Sequence, residues 1–381
     1  MHKKFFSLTS FAVLFLTVIC YSQIKTLPNA IYSGAQGSFH VQGIVVDSVK
    51  GFAYFSFTDR LVKTDLQGRT IGSVTGFVGH LGDLAMAPDG KIYGSLEYKN
   101  DAIGKGIQKK LGTDAVTEDG FYVAVFDPLA IVRPDMNAEQ EGLLSTIFLK
   151  EPTDDYNAEV IVNGRTVKHR FACSGIDGIT FAPEIGSNAS SKKFLYVAYG
   201  IYGDTSRNDN DHQVILKYDV VDWSKYSKKL SQQSLHRAGP AKPLEKYFVK
   251  TGNTKYGIQN LDYDPYTGLL FAAVYRGSKP QYPNYDLFVI DASKKATNTT
   301  IMQDGKPVQV SSLALWKAKD QDLSSGISGW YFPYGSTGLY PIGDGSFYLS
   351  HPGKTTDGKQ ETTIHRYLWL GGKEKAFDLK K

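Results

Sequence analysis

One pattern recurs five times along this chain and constrains its fold more than any other feature: a polar residue, a small residue, then a short apolar strand. It appears at Gln42-Gly43-Ile44-Val45-Val46-Asp47, at Gly82-Asp83-Leu84-Ala85-Met86-Ala87-Pro88 and at Asp177-Gly178-Ile179-Thr180-Phe181-Ala182-Pro183. It returns at Gln259-Asn260-Leu261-Asp262-Tyr263-Asp264-Pro265 and at Thr337-Gly338-Leu339-Tyr340-Pro341. Each copy leads through a turn into a second strand: Phe52–Phe57, Lys91–Leu96, Phe194–Tyr199, Leu270–Tyr275 and Ser346–His351. Four third strands end in Asp (Leu61–Asp65, Phe121–Asp127, Gln213–Asp219, Leu287–Asp291), and the fifth, Thr363–Leu368, lacks it. Self-similar short strands between Gly, Pro and Asp turns are the mark of a radial repeat. The expected fold is therefore all-β, a β-propeller of five clear units with four-stranded antiparallel blades. The copies lie 40, 95, 82 and 78 residues apart, and the long intervals leave room for up to seven blades.

Composition agrees. The 38 Gly and 15 Pro supply turns, while 24 Tyr and 21 Phe favour strands. No long amphipathic helix with caps is evident, which disfavours α/β folds. A net charge of +5 over 381 residues is too small and dispersed for a nucleic-acid partner. Two cysteines make neither a disulfide framework nor a zinc set.

Residues 1–22 read as a signal peptide. Lys3 and Lys4 precede a mostly apolar run from Phe5 to Tyr21, and Ser22-Gln23 offers the cleavage point. The run is broken by Ser and Thr and is short for a membrane span. Cys20 follows a bulky Ile19, which argues against lipidation. A secreted or periplasmic protein is expected, with residues 23–381 as a single catalytic propeller domain, monomeric, and with Cys173 its only thiol.

In a propeller, the residues entering each innermost strand share a face with the loops that follow each second strand. Those loops are long here, at Glu97–Gly120, Gly200–His212, Arg276–Asn284 and Pro352–Glu361, and long loops usually carry function. Gathered there would be His80, His212, Tyr199, Tyr202 and Arg170 as catalytic candidates. Gln42, His169, Asp177, Gln259, Asn260, Arg276, Thr337 and His351 would bind substrate. Each has a bland alternative: His80 as a turn cap, Lys168-His169-Arg170 as a solvated strand, Tyr199 and Tyr202 as wall packing. The stretch Asp204–Asp211 resembles a calcium loop without EF-hand spacing. No catalytic metal is expected, and a structural calcium ion is the one cofactor that the stretch admits.

No isolated acid pair, G-x-S-x-G elbow or H-E-x-x-H motif is present. Arg, His and Tyr together suit β-elimination from a uronic acid. Arg neutralises the carboxylate, one His or Tyr removes the C5 proton, and another protonates the departing C4 oxygen.

The stretches Gly79-His80-Leu81-Gly82-Asp83, Lys91–Asn100, Cys173–Gly178, Val197–Asp204 with Asp209–Gln213, and Gln259–Gly268 resemble a propeller family of marine polysaccharide-degrading bacteria, the rhamnosyl-glucuronate lyases and the ulvan oligosaccharide dehydratase. The resemblance runs over most of residues 75–370. It implies a seven-bladed propeller and an anionic, uronate–rhamnose oligosaccharide substrate, often sulfated. The dehydratase, removing water from a terminal glucuronate or iduronate, is favoured over the lyase. In that scheme His80 and His212 form the acid/base pair, with Tyr199 or Tyr202 as the other donor. Arg170 neutralises the carboxylate with Arg276 in reserve, and His169 and His351 hold a sulfate or hydroxyl. The rivals are a non-enzymatic carbohydrate-binding propeller and a five-bladed glycosidase.

Overall fold

The strands that the repeats anticipate form, and they close into a five-bladed ring. The computed structural model describes residues 27–114, 118–187, 192–319, 321 and 325–380; the expected leader lies outside them. The first blade runs Val41–Asp47, Phe52–Phe57, Arg60–Asp65 and Thr70–Thr75 from the axis outward. The second runs His80–Met86, Ile92–Tyr98, Gly120–Phe126 and Leu144–Phe148. The third runs Cys173–Pro183, Lys193–Ile201, His212–Tyr218 and Glu245–Lys250, extended by the hairpin Thr297–Gln303/Lys306–Ser312. The fourth has Thr254–Asp264, Leu269–Arg276 and Leu287–Ile290. In the fifth, Leu339–Pro341, Ser346–Lys354 and Gln360–Trp369 are joined by the N-terminal strand Ala30–Tyr32, which pairs antiparallel with Gln360–Trp369. Strand exchange between the two ends of the chain ties the ring shut and covers an open edge.

Three details differ from expectation. The fourth blade is three-stranded, and the others gain strands from their connections. The pairings of Glu245–Lys250 with Lys306–Ser312 and of Thr70–Thr75 with Met136–Asn137 are parallel. The long loops also hold two helices, Ala102–Leu111 and Lys150–Asn157. The first has ordinary signals after all: the Asp101 carboxylate accepts from the Gly104 amide at 2.7 Å, and Gly112 closes it at φ +66°.

The small residues entering the inner strands have a steric purpose. A Cβ on Gly43 would lie 2.7 Å from Asp83 Cα, and one on Gly178 would lie 2.9 Å from Leu261 Cβ. Neighbouring inner strands thus meet backbone to backbone around the axis. Two buried side chains then bind the ring together. Asp83 accepts the amides of Leu84 (2.9 Å), Ile179 (2.9 Å) and Leu261 (3.0 Å), joining blades two, three and four. Asn260 donates to Gln42 O (2.8 Å) and accepts from the Leu339 amide (3.1 Å), joining blades four, one and five. Both residues are 0% exposed.

Removing an acceptor that serves buried amides costs the desolvation of each orphan. Asp83→Ala is therefore expected to lower unfolding free energy by about 3 kcal/mol or more, with Asp83→Asn losing less because an amide oxygen remains. Urea denaturation measures both. A loss below about 0.5 kcal/mol for Asp83→Ala, the range of an ordinary surface change, would show that the carboxylate is not a closing element.

Candidate functional site

On one face of the ring, over the axis, lies a cavity of about 820 Å³. The second blade supplies its floor. His80 and Glu97 are direct partners across the first two strands of that blade, which brings their side chains together. His80 Nδ1 is 3.1 Å from Glu97 Oε2, and Lys99 Nζ is 2.7 Å from the same oxygen. Lys99 also donates to Ser174 O at 2.8 Å, and the Ile176 amide donates to Glu97 Oε1 at 2.7 Å. Asp177 enters from the third blade, at a β-bulge between Ile176 and Ile179. Gln259 of the fourth blade donates to Asp177 Oδ2 at 2.9 Å and to Tyr256 O at 2.8 Å. One atom each from His80, Glu97 and Asp177 lie within 4.8 Å of one another.

Burial alone would raise the Glu97 carboxyl, but the Lys99 ammonium and then His80 outweigh it and hold Glu97 below its usual range. Glu97 thus presents a carboxylate oxygen to His80 Nδ1 at 3.1 Å. Asp177 goes the other way. Burial, reinforced by the charge on Glu97, pushes it well above an ordinary carboxylate, and Lys99 and Gln259 only partly oppose this. Two acids a few ångströms apart are thus shifted in opposite directions by their surroundings.

The walls are less polar. The Ala102–Leu111 helix presents Ile103, Gly106 and Ile107 to the cavity, facing Phe39, Tyr256 and Tyr275. Tyr256 holds φ +62°, uncommon for a residue with a side chain, directly before Gly257 at φ +73°. Lys110, 4.9 Å above the Phe39 ring, and Lys255 stand at the rim, and among the described residues neither has a salt-bridge partner.

Of the residues expected from sequence, the cavity is lined by His80, Gln42, Asp177, Gln259 and Arg276. The Arg276 guanidinium is engaged with Asp286 through Nε (3.1 Å) and Nη2 (2.5 Å). The other eight lie elsewhere. Tyr199 is fully buried and donates to Asp155 at 2.9 Å; Arg170 reaches the same carboxylate at 2.9 Å in a separate cavity with Glu151 and Lys246. Tyr202 donates to Asp101 at 2.6 Å, and His169 packs between Tyr156 and Tyr202. His212 begins the third strand outward in its blade, opposite Lys250 and edge-on to Phe248. Asn260 is the axial tie, and Thr337 donates to Ser350 at 3.3 Å. His351 stacks on Tyr334 at 3.6 Å and bonds Tyr367 at 2.9 Å. Asn163-Gly164 turns a hairpin between Glu159–Val162 and Arg165–Lys168, and that return arm delivers Lys168-His169-Arg170 away from the axial cavity.

The acidic stretch Asp204–Asp211 assembles no oxygen cage. Ser206 occupies Asp204 (2.7 Å), Arg207 binds Asp209 through two nitrogens at 2.8 Å, and Lys279 and Tyr282 bind Asp211. Sequence reasoning placed Glu97 on this face without giving it a role, and it left Lys99 out. Lys99 lies just past the end of the strand Ile92–Tyr98 that carries Glu97, and its meeting with the carboxylate shows only in the fold.

No family model and no curated protein matches the chain. Solved structures do. A glucose dehydrogenase is 10% identical, covering 88% of this chain and 99% of its own, at a TM-score of 0.35. A gluconolactonase from Xanthomonas campestris is 11% identical, covering 85% and 72%, at 0.35. A calcium-binding regucalcin from Agrobacterium tumefaciens is 12% identical, covering 91% and 97%, at 0.32. At such scores none of these names carries an argument about activity. They do not include the rhamnosyl-glucuronate lyases or the ulvan dehydratase, so the expected kinship is corrected. The β-elimination scheme falls with it, because Arg170, Tyr199 and His212 do not meet His80, and the blades number five rather than seven.

The stacked His351 ring gives a pH test. Burial first, and then the charge that His365 would carry, lower its imidazole from 6.5 to about 4. Between those values the unfolded chain binds a proton that the folded chain refuses, so stability rises with pH across the window and is lost as pH falls through it. His351→Gln is expected to flatten the dependence of Tm on pH from 6.5 down to 4, relative to wild type. Parallel Tm curves for the two proteins would contradict the assignment.

Proposed function

We propose that the chain is an enzyme that hydrolyses a small anionic molecule in the axial cavity, with His80 as general base. The observation that carries this is the Lys99–Glu97–His80 chain of contacts, 2.7 and 3.1 Å long, beside an Asp177 whose carboxyl burial pushes upward. Glu97 fixes the imidazole tautomer through Nδ1 and stabilises the imidazolium when Nε2 takes a proton. Among the described residues no serine, threonine or cysteine side chain is hydrogen-bonded to His80, so the base acts on water. Asp177, protonated, gives its proton to the leaving oxygen. The two functions need groups with separated proton affinities, and these neighbours have them.

The rim supports the substrate class. Lys110 and Lys255 have no carboxylate to balance them, whereas Glu97 is matched by Lys99 and Asp286 by Arg276. A cavity with a surplus of cations attracts an anion and speeds its arrival. Its size and its aromatic and aliphatic walls suit a molecule of one or two rings.

The test is a panel of small carboxylate-bearing esters, lactones and glycosides, with proton or alcohol release as the readout. His80→Asn and Glu97→Gln are expected to lower kcat by about 10²–10⁴-fold, while His212→Asn and Tyr199→Phe stay within about threefold, since these lie off the cavity. His80→Asn turning over at the wild-type rate, or wild type binding the panel without converting any member, would overturn the proposal.

A further inference from the structure

The cluster of His80, Glu97 and Asp177 is the group among the described residues whose imidazole and carboxylate atoms converge closely enough to suggest a divalent cation. Its inner space is already contested. The Lys99 ammonium, 5% exposed, lies 2.7 Å from Glu97 Oε2 and 2.8 Å from Ser174 O. A carboxylate and a backbone carbonyl are the donors that a hard cation takes, and here an ammonium takes them. The remaining Glu97 oxygen receives the Ile176 amide at 2.7 Å, and one oxygen of Asp177 receives Gln259 at 2.9 Å. A divalent ion added to this set would face a positive charge close by in a site nearly closed to water, where repulsion is weakly screened.

We infer that Lys99 is a tethered cation standing in the position of a metal ion, so that the axial site works without a divalent cation and becomes a metal site when Lys99 is neutralised. Lys99 is then a positioning residue. It keeps Glu97 anionic and aimed at His80, which is the electrostatic task a bound ion performs in sites of this donor type. The inference concerns the cluster on which the hydrolytic reading rests, but its test is metal binding, which succeeds or fails independently of any turnover. A purely structural ion pair makes a different prediction: Lys99→Met would destabilise the fold and leave the affinity for metal unchanged.

The experiment titrates wild type, Lys99→Met and Lys99→Gln with Mn²⁺ and Ca²⁺, following bound metal by electron paramagnetic resonance for Mn²⁺ and by calorimetry for both. Both variants are expected to bind one ion at least about 100-fold more tightly than wild type, in line with a charge removed from a poorly screened site. The thermal stability of Lys99→Met, lowered by the unpaired Glu97, is expected to recover as metal is added. Two results would overturn the inference. One is saturable binding by wild type that disappears in His80→Asn and Asp177→Asn. The other is a folded Lys99→Met or Lys99→Gln that binds no better than wild type. If both Lys99 variants fail to fold even with metal present, the wild-type titration and its two controls still decide the matter.

Discussion

Five separately folded sheets become one ring through the side chains of Asp83 and Asn260, and everything at the cavity depends on that closure. Asp83 collects amides from blades two, three and four, and Asn260 links blades four, one and five. Both sit where neighbouring inner strands approach too closely for a side chain at Gly43 or Gly178. Buried amides in that crowd have no water to turn to, so a single well-aimed acceptor serves each of them. The cost is visible in Asp83 itself: burial raises its carboxyl well above the usual value, and the three amides pull it back only in part.

The site inherits its geometry from this scaffold rather than from its own loops. His80 and Glu97 are facing members of one strand pair, Lys99 follows just past the end of the strand that carries Glu97, and Asp177 projects from a bulge on the adjacent blade. A group mounted on paired strands is held more closely than one on a loop. That rigidity holds Glu97 between Lys99 and His80, which lower its carboxyl, while burial raises Asp177 a short distance away. The helix Ala102–Leu111 adds the apolar wall that separates this polar floor from bulk water.

Much of the ring was legible beforehand because its period is strong. The five inner strands, their partners and the Asn163-Gly164 turn appear where alternation and turn residues put them. The helix Ala102–Leu111 was missed although Asp101 and Gly112 mark its ends, because it is short and carries two glycines. Among site residues, His80, Gln42, Asp177 and Gln259 stand at the cavity because they lie at the starts of inner strands, and Arg276 because it ends a second strand on the same face. Tyr199, Arg170 and His212 share that neighbourhood in sequence, yet they are consumed by Asp155 and by the packing around Phe248. Proximity to a repeat boundary selects a face only for residues whose side chain is not already claimed by an internal partner.

The order of residues alone settled that the chain folds into short strands, in five units, with small residues at the axis. Strand alternation and glycine sterics are local, and they need no knowledge of what lies across the ring. What only the folded molecule decided is which charges meet. Lys99 becomes a counter-ion to Glu97, Asp177 is pushed up by burial beside them, and Arg170 is diverted to Asp155. These outcomes follow from burial and from distances of a few ångströms, whether the partners are 2 residues apart as Glu97 and Lys99 are, 15 as Asp155 and Arg170 are, or in different blades as Glu97 and Asp177 are, and the energy of a charge is set by those distances rather than by its position along the chain.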